Sequence, residues 1–228
     1  MVSLSPAVIV FDMDGVLLDV SESYRETVAQ TIEHFTGKRI SREEIQDYKN
    51  RGGFNNDWLI CHTHCAKEGV EVGYQEVVDY FNHLFFEQGL IHRERWLPKP
   101  GFLERLAQNY SLAIFTGRNL LEATTTLDRE GFRHHFFLVT VDDLEHDKPH
   151  PEGLLRIAAR HPGQELLYIG DTVDDARAAR AAGVNFIGIA GHENPGRDKL
   201  AQLLEAEGAV AVLDNINHLE GVLCAPRP

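Results

Sequence analysis

The chain has 228 residues, enough for one large domain or a core domain carrying a smaller insert, and it can bury a core without disulfide or metal staples. With 43% hydrophobic and 25% charged residues the composition is that of a soluble globular protein, and the formal net charge of −13 argues against a general affinity for nucleic acid or anionic membranes. Three cysteines do not form a disulfide framework, no apolar run approaches ~20 residues, and Met1 to Pro6 lacks a signal-like pattern, so a cytoplasmic protein without a membrane span is expected.

The first element, Ala7 to Phe11, is a continuous apolar run rich in β-branched residues that ends in the acidic turn Asp12-Met13-Asp14-Gly15. A strand covered on both faces of a parallel sheet reads this way. From Val20 to Trp96 the pattern changes to helices. Tyr24, Val28, Ile32 and Phe35 share one stripe, and Ser41 with Glu44 forms a capping-box signature ahead of Ile45 and Tyr48. Val77, Val78, Phe81, Leu84 and Phe85 mark a further helix. Between the helices lies a polar, glycine-containing break with Lys49, Arg51, Gly52, Gly53, Asn55, Asn56 and Asp57. It reads either as an exposed loop with capping asparagines or as a place where Lys49 or Arg51 binds the anionic end of a ligand. In Cys61-His62-Thr63-His64-Cys65 the two cysteines share a helix face; zinc would need ligands beyond this turn, and buried thiols are the alternative.

Pro98, Pro100 and Gly101 mark the return to strand grammar. Ser111 to Phe115 runs into Thr116-Gly117-Arg118, Phe136 to Val141 into Asp142-Asp143, Leu166 to Ile169 into Gly170-Asp171, and Val184 to Ile189 into Ala190-Gly191. Helices are expected between them: one with Leu120, Ala123, Thr124 and Leu127 on a face and Gly131 as its stop, another from Asp174 to Ala182 ended by Gly183. Alternation of this kind implies an α/β fold, a doubly wound parallel sheet, whose ligands bind beyond the carboxyl ends of the strands. The expected boundaries are 1–19 and 97–228 for this core and 20–96 for an inserted helical domain.

Every polar cluster sits at such a strand end. Asp12 and Asp14 repel each other there; at ~4 Å and an effective dielectric near 20, each like-charge pair costs about 4 kcal/mol, which a hard cation or a proton relieves. Alone, Asp-x-Asp also reads as a solvated turn with a helix cap. Asp171, a candidate cap, and Asp175, about one helical turn on, can turn back to the same mouth, whereas Asp174 is placed on a solvated face. Such an acidic set suits oxygen-ligated Mg²⁺. Thr116, followed by Gly117, offers a hydroxyl and nearby backbone N–H groups to phosphate oxygens, and Lys148, just before the helix start marked by Pro151, offers a positive charge.

Asp12-Met13-Asp14-Gly15-Val16, Phe115-Thr116-Gly117, Lys148-Pro149 and Gly170-Asp171-Thr172-Val173-Asp174-Asp175 resemble, in order, the four motifs of the haloacid dehalogenase (HAD) superfamily. The helical insert resembles the cap of its phosphoglycolate phosphatase and β-phosphoglucomutase branch. The resemblance implies a HAD-like Rossmannoid core with an α-helical cap, and a phosphatase acting on a small phosphorylated metabolite. Its implied roles are Asp12 as nucleophile, Asp14 as general acid and base, and Thr116 and Lys148 as phosphate ligands. Mg²⁺ would be held by Asp12, the Asp14 carbonyl and Asp171, with Asp175 in support. Arg118 and the cap residues Lys49, Arg51 and Asn55 are the further candidates for touching substrate. A monomer or homodimer is expected. A phosphomutase is the rival within this branch, and a silent Mg²⁺- and phosphate-binding protein the rival outside catalysis. The order of the acidic, Thr and Lys positions argues against a response-regulator receiver.

Overall fold

Val8–Phe11 (β1) has no solvent exposure at any of its four residues, as a strand covered on both faces requires. The computed structural model describes residues 6–192 and 194–223. After β1 the chain passes through β2 (Leu18–Asp19) into four helices: α1 (Tyr24–Thr36), α2 (Arg42–Arg51), α3 (Asp57–Lys67) and α4 (Tyr74–Asn82). α4 continues as a π-helical turn, His83–Glu87. β3 (Arg95–Trp96) pairs with β2, and α5 (Phe102–Ala107) then leads to β4 (Ser111–Phe115). The remainder alternates: α6 (Leu120–Glu130), β5 (Phe137–Val139), α7 (Glu152–Arg160), β6 (Leu166–Gly170), α8 (Val173–Ala182), β7 (Asn185–Ile189), α9 (Arg197–Ala206) and β8 (Ala211–Leu213).

The main sheet has the order β5-β4-β1-β6-β7-β8 and all its neighbours are parallel. This is the expected doubly wound α/β sheet, with β1 near its centre and helices as crossovers. Val8, Val10, Phe115, Tyr168 and Phe186 pack in one apolar cluster with Leu154 of α7 and Ala179 of α8. The chain divides into two units, Asp19–Arg95 and the segments on either side of it. No helix among the described residues is long and apolar enough to cross a membrane.

In the helical unit, the expected capping box forms between Ser41 and Glu44, and Tyr24, Val28 and Ile32 are buried along α1. Tyr24 meets Phe85 at 4.3 Å between ring centroids. Cys61 and Cys65 are buried free thiols, and burial pushes the Cys61 thiol well above its usual range.

Three local expectations are corrected. On α6 the buried face is Glu122, Ala123, Thr126 and Leu127, while Leu120 is 48% exposed, because Glu122 completes a capping box with Asn119 and Thr126 receives Arg118. Asp174 is buried, at 2% exposure, rather than on a solvated face. Thr172, not Asp171, caps α8: its hydroxyl accepts from the Asp175 N–H while the Asp175 carboxylate accepts from the Thr172 N–H.

Candidate active site

The site is built at the carboxyl ends of β1, β4 and β6, all in the sheet-containing unit. Asp12 directly follows β1, and its N–H donates to Ile169 O at 2.8 Å, so the sheet ladder fixes its backbone. The chain then turns tightly, Leu17 and Leu18 both donating to Met13 O. Gly15 makes that turn possible. Its φ is +73°, and a Cβ there would lie 1.9 Å from Asp171 Oδ2, so the Asp171 carboxylate packs against bare backbone.

Lys148 lies in the loop before α7 with its side chain 1% exposed. Its Nζ stands 3.0 Å from Asp12 Oδ1 and 2.8 Å from Asp175 Oδ1. Burial opposes its charge, but the two carboxylates outweigh burial and raise its pKa. Three ammonium donors and two ion pairs leave capacity for an incoming anion. Phe115 and Tyr168 present their rings to the same ammonium at 4.8 and 5.6 Å.

Asp175 is fully engaged. Oδ1 accepts from Tyr168 Oη at 2.6 Å and faces Lys148, while Oδ2 accepts from Thr172 N at 3.0 Å and Thr172 Oγ1 at 2.7 Å. Burial works to raise its pKa, and these partners, Lys148 above all, outweigh it and lower the value. Asp12 is the opposite case. Burial, with the charges of Asp175 and Asp14, overcomes Lys148 and pushes it up to about 7.

Oxygens of Asp12, Asp171 and Asp175 all lie within 4.8 Å of one another. An all-oxygen donor set, a carboxylate that resists ionising without a cation, and a glycine floor beneath Asp171 together fit a hard divalent cation.

Thr116 directly follows β4 and is 1% exposed; its hydroxyl accepts from Arg118 N at 3.2 Å. Gly117 lies exposed between them. The buried Arg118 guanidinium donates to Asp14 Oδ1 through Nε at 2.9 Å and Nη2 at 2.5 Å, and to Thr126 Oγ1 at 2.9 Å. In the helical unit, Lys49 is buried and paired with Asp57 at 2.6 Å, and it donates to Asn55 O at 3.2 Å. Arg51 is exposed, its guanidinium 5.2 Å from the centre of the Tyr48 ring. Of Tyr168, Thr172 and Thr126, neither threonine carries an individual functional signal in the sequence pattern. A tyrosine inside the buried run Leu166 to Ile169 is the one available signal, since its hydroxyl needs a partner.

A family model described as haloacid dehalogenase-like hydrolase matches residues 6–183. An imidazoleglycerol-phosphate dehydratase of Phytophthora nicotianae is 31% identical over 217 residues, which cover 89% of this chain but only 47% of that protein, so the chain spans about half that relative's length. A phosphoglycolate phosphatase of Pseudomonas fluorescens is 24% identical over 222 residues, covering 94% of this chain and 78% of that one. Among solved structures, a haloacid dehalogenase-like protein of unknown function from Agrobacterium tumefaciens is similar in fold, with a TM-score of 0.77 at 23% identity, covering 96% of this chain and 97% of its own.

Proposed function

This chain belongs to the haloacid dehalogenase-like hydrolase family, and on that premise we propose that it is a Mg²⁺-dependent phosphatase of a small phosphate monoester, working through an aspartyl phosphate on Asp12. The observation that carries this reading is the meeting of Asp12 with Lys148, Asp171 and Asp175 at the carboxyl ends of β1 and β6.

Phosphate monoesters hydrolyse so slowly unaided that rate accelerations reach ~10²¹-fold, and dividing the reaction at a covalent intermediate gives two accessible displacements. Asp12 attacks phosphorus with a carboxylate oxygen, forming the new P–O bond as the bond to the leaving alcohol breaks. Asp14 gives that alcohol its proton and then takes one from the water that releases phosphate. Lys148 and Thr116 receive phosphate oxygens, and Gly117 adds its backbone N–H. Asp12, the Asp14 carbonyl and Asp171 would hold Mg²⁺, which when bound neutralises phosphate charge. Asp175, whose four acceptor sites meet four protein donors, supports from outside by orienting Lys148.

We assign residues 20–96 to a cap and 1–19 with 97–228 to the core. Of the cap candidates, Arg51 is the exposed cation, whereas Lys49 is already paired with Asp57 and shapes the loop around Asn55. A small phosphorylated acid, as in the relative's phosphoglycolate, is the substrate class we propose. Turnover of an aryl phosphate that requires Mg²⁺ and releases inorganic phosphate tests the reading. A hexose monophosphate returned as its positional isomer, with no phosphate released, would make the protein a mutase instead.

A further inference from the structure

We propose that His146, His150 and Glu152 form a second cation site, for a borderline transition ion such as Zn²⁺, on the loop that carries Lys148. His146 and His150 flank Lys148 in sequence, and Glu152 is the first residue of α7. One ligand atom from each of the three lies within 4.8 Å of the others, and the two imidazole rings are 4.6 Å apart at their centroids. His146 Nδ1 stands 3.5 Å from Glu152 Oε2. Zinc bonds of about 2.1 Å in a tetrahedron place ligand atoms about 3.4 Å apart, so this edge of the polyhedron is already set.

The carboxylate is held in place before any ion arrives. Glu152 accepts from Glu145 N at 3.2 Å and from His146 N at 3.1 Å, and Arg156 stands 3.5 Å from its other oxygen. Outer partners of this kind orient a ligand. Both imidazoles are exposed, so an ion can reach them from solvent. Two nitrogens and one carboxylate select zinc, cobalt or nickel over Mg²⁺, which prefers an all-oxygen shell. The three donors leave a coordination position to water.

An ion there ties residues 146, 150 and 152 together across Lys148, whose ammonium stands between Asp12 and Asp175. Occupancy therefore stiffens the segment that delivers the site's cation. This cluster is distinct from Asp12, Asp171 and Asp175 and would bind its ion whatever reaction they perform.

Zinc titration by calorimetry tests it, in an Asp171→Asn background that weakens competing binding at the acidic cluster. One equivalent per chain is expected, with a Tm rise of roughly 5–10 °C at a hundredfold excess over Kd. His146→Ala/His150→Ala in that background loses the equivalent while its far-UV circular dichroism is unchanged. Glu152→Gln, which keeps size and an acceptor oxygen, weakens binding at least about tenfold. Cobalt titration gives ligand-field bands without a thiolate charge-transfer band, which separates this site from Cys61 and Cys65. An unchanged stoichiometry in the double histidine variant, a thiolate band, or no binding at micromolar zinc overturns the proposal.

Discussion

Arg118 donates twice to a single oxygen of Asp14, from Nε at 2.9 Å and from Nη2 at 2.5 Å, and anchors its remaining arm on Thr126. A proton-transfer group is most effective when its orientation is fixed before substrate arrives. Arg118→Met is therefore expected to lower kcat on an aryl phosphate by about 10–100-fold with KM changed less than about twofold, as loss of an interaction used in the transition state does. Steady-state kinetics separate this from substrate contact, for which KM would rise and kcat hold.

Tyr168 illustrates a residue whose work is structural support. Its hydroxyl, buried inside β6, donates to the Asp175 carboxylate at 2.6 Å. Tyr168→Phe leaves that charge short of one donor at a cost of about 1.5–3 kcal/mol, which for a chain of this size lowers Tm by roughly 3–12 °C. A melting curve checks it; an unchanged Tm would mean that water replaces the hydroxyl.

Metal binding and pH are linked through Asp12. Its folded-state pKa is raised from 3.8 to about 7, chiefly by burial. In the metal-free protein the ionised form is penalised, so this carboxylate takes stability away as pH rises from about 4 through 7. A cation needs the ionised form and competes with the proton. The Mg²⁺-induced rise in Tm should therefore be larger near about pH 8 than near about pH 5.5, with apparent Mg²⁺ affinity falling up to about tenfold per pH unit below 7. An equal Mg²⁺ effect at both values would remove Asp12 from the coordination shell.

Gly15→Ala tests the floor of the cation site. The added methyl would fall 1.9 Å from Asp171 Oδ2, on backbone with φ of +73°. Loss of the Mg²⁺-induced Tm rise and of aryl phosphatase activity is expected together, measured on protein shown folded by circular dichroism. Retention of both would show that Asp171 is not needed at that position.

The sheet and the order of the strand-end residues were readable because strands covered on both faces are continuous apolar runs that stop where polar chemistry begins. Asp12, Thr116 and Asp171 announce themselves by following such runs, and Lys148 by preceding the helix start at Pro151. What was not readable is direction across a strand or helix. A strand buried on both sides gives no period, so nothing in Leu166 to Ile169 says that Tyr168 faces Asp175. The helix α6 misled for a related reason: Leu120 has the apolar character of a core residue, but capping by Asn119 and Glu122 and the pull of Arg118 on Thr126 rotate a partly polar face inward. Lys49 likewise reads as a loop cation, and only its contact with Asp57 reveals it as a buried pair.

The most direct measurement is acid quenching of a single turnover with ³²P-labelled substrate and Mg²⁺, followed by tryptic mapping. No Lys or Arg lies between residue 1 and Arg25, so the tryptic peptide that ends at Arg25 carries Asp12. The account predicts a hydroxylamine-labile phosphoryl group on Asp12, absent from Asp12→Asn, whose kcat falls by at least about 10³-fold. Turnover that persists in Asp12→Asn, or label on any other residue, would contradict it.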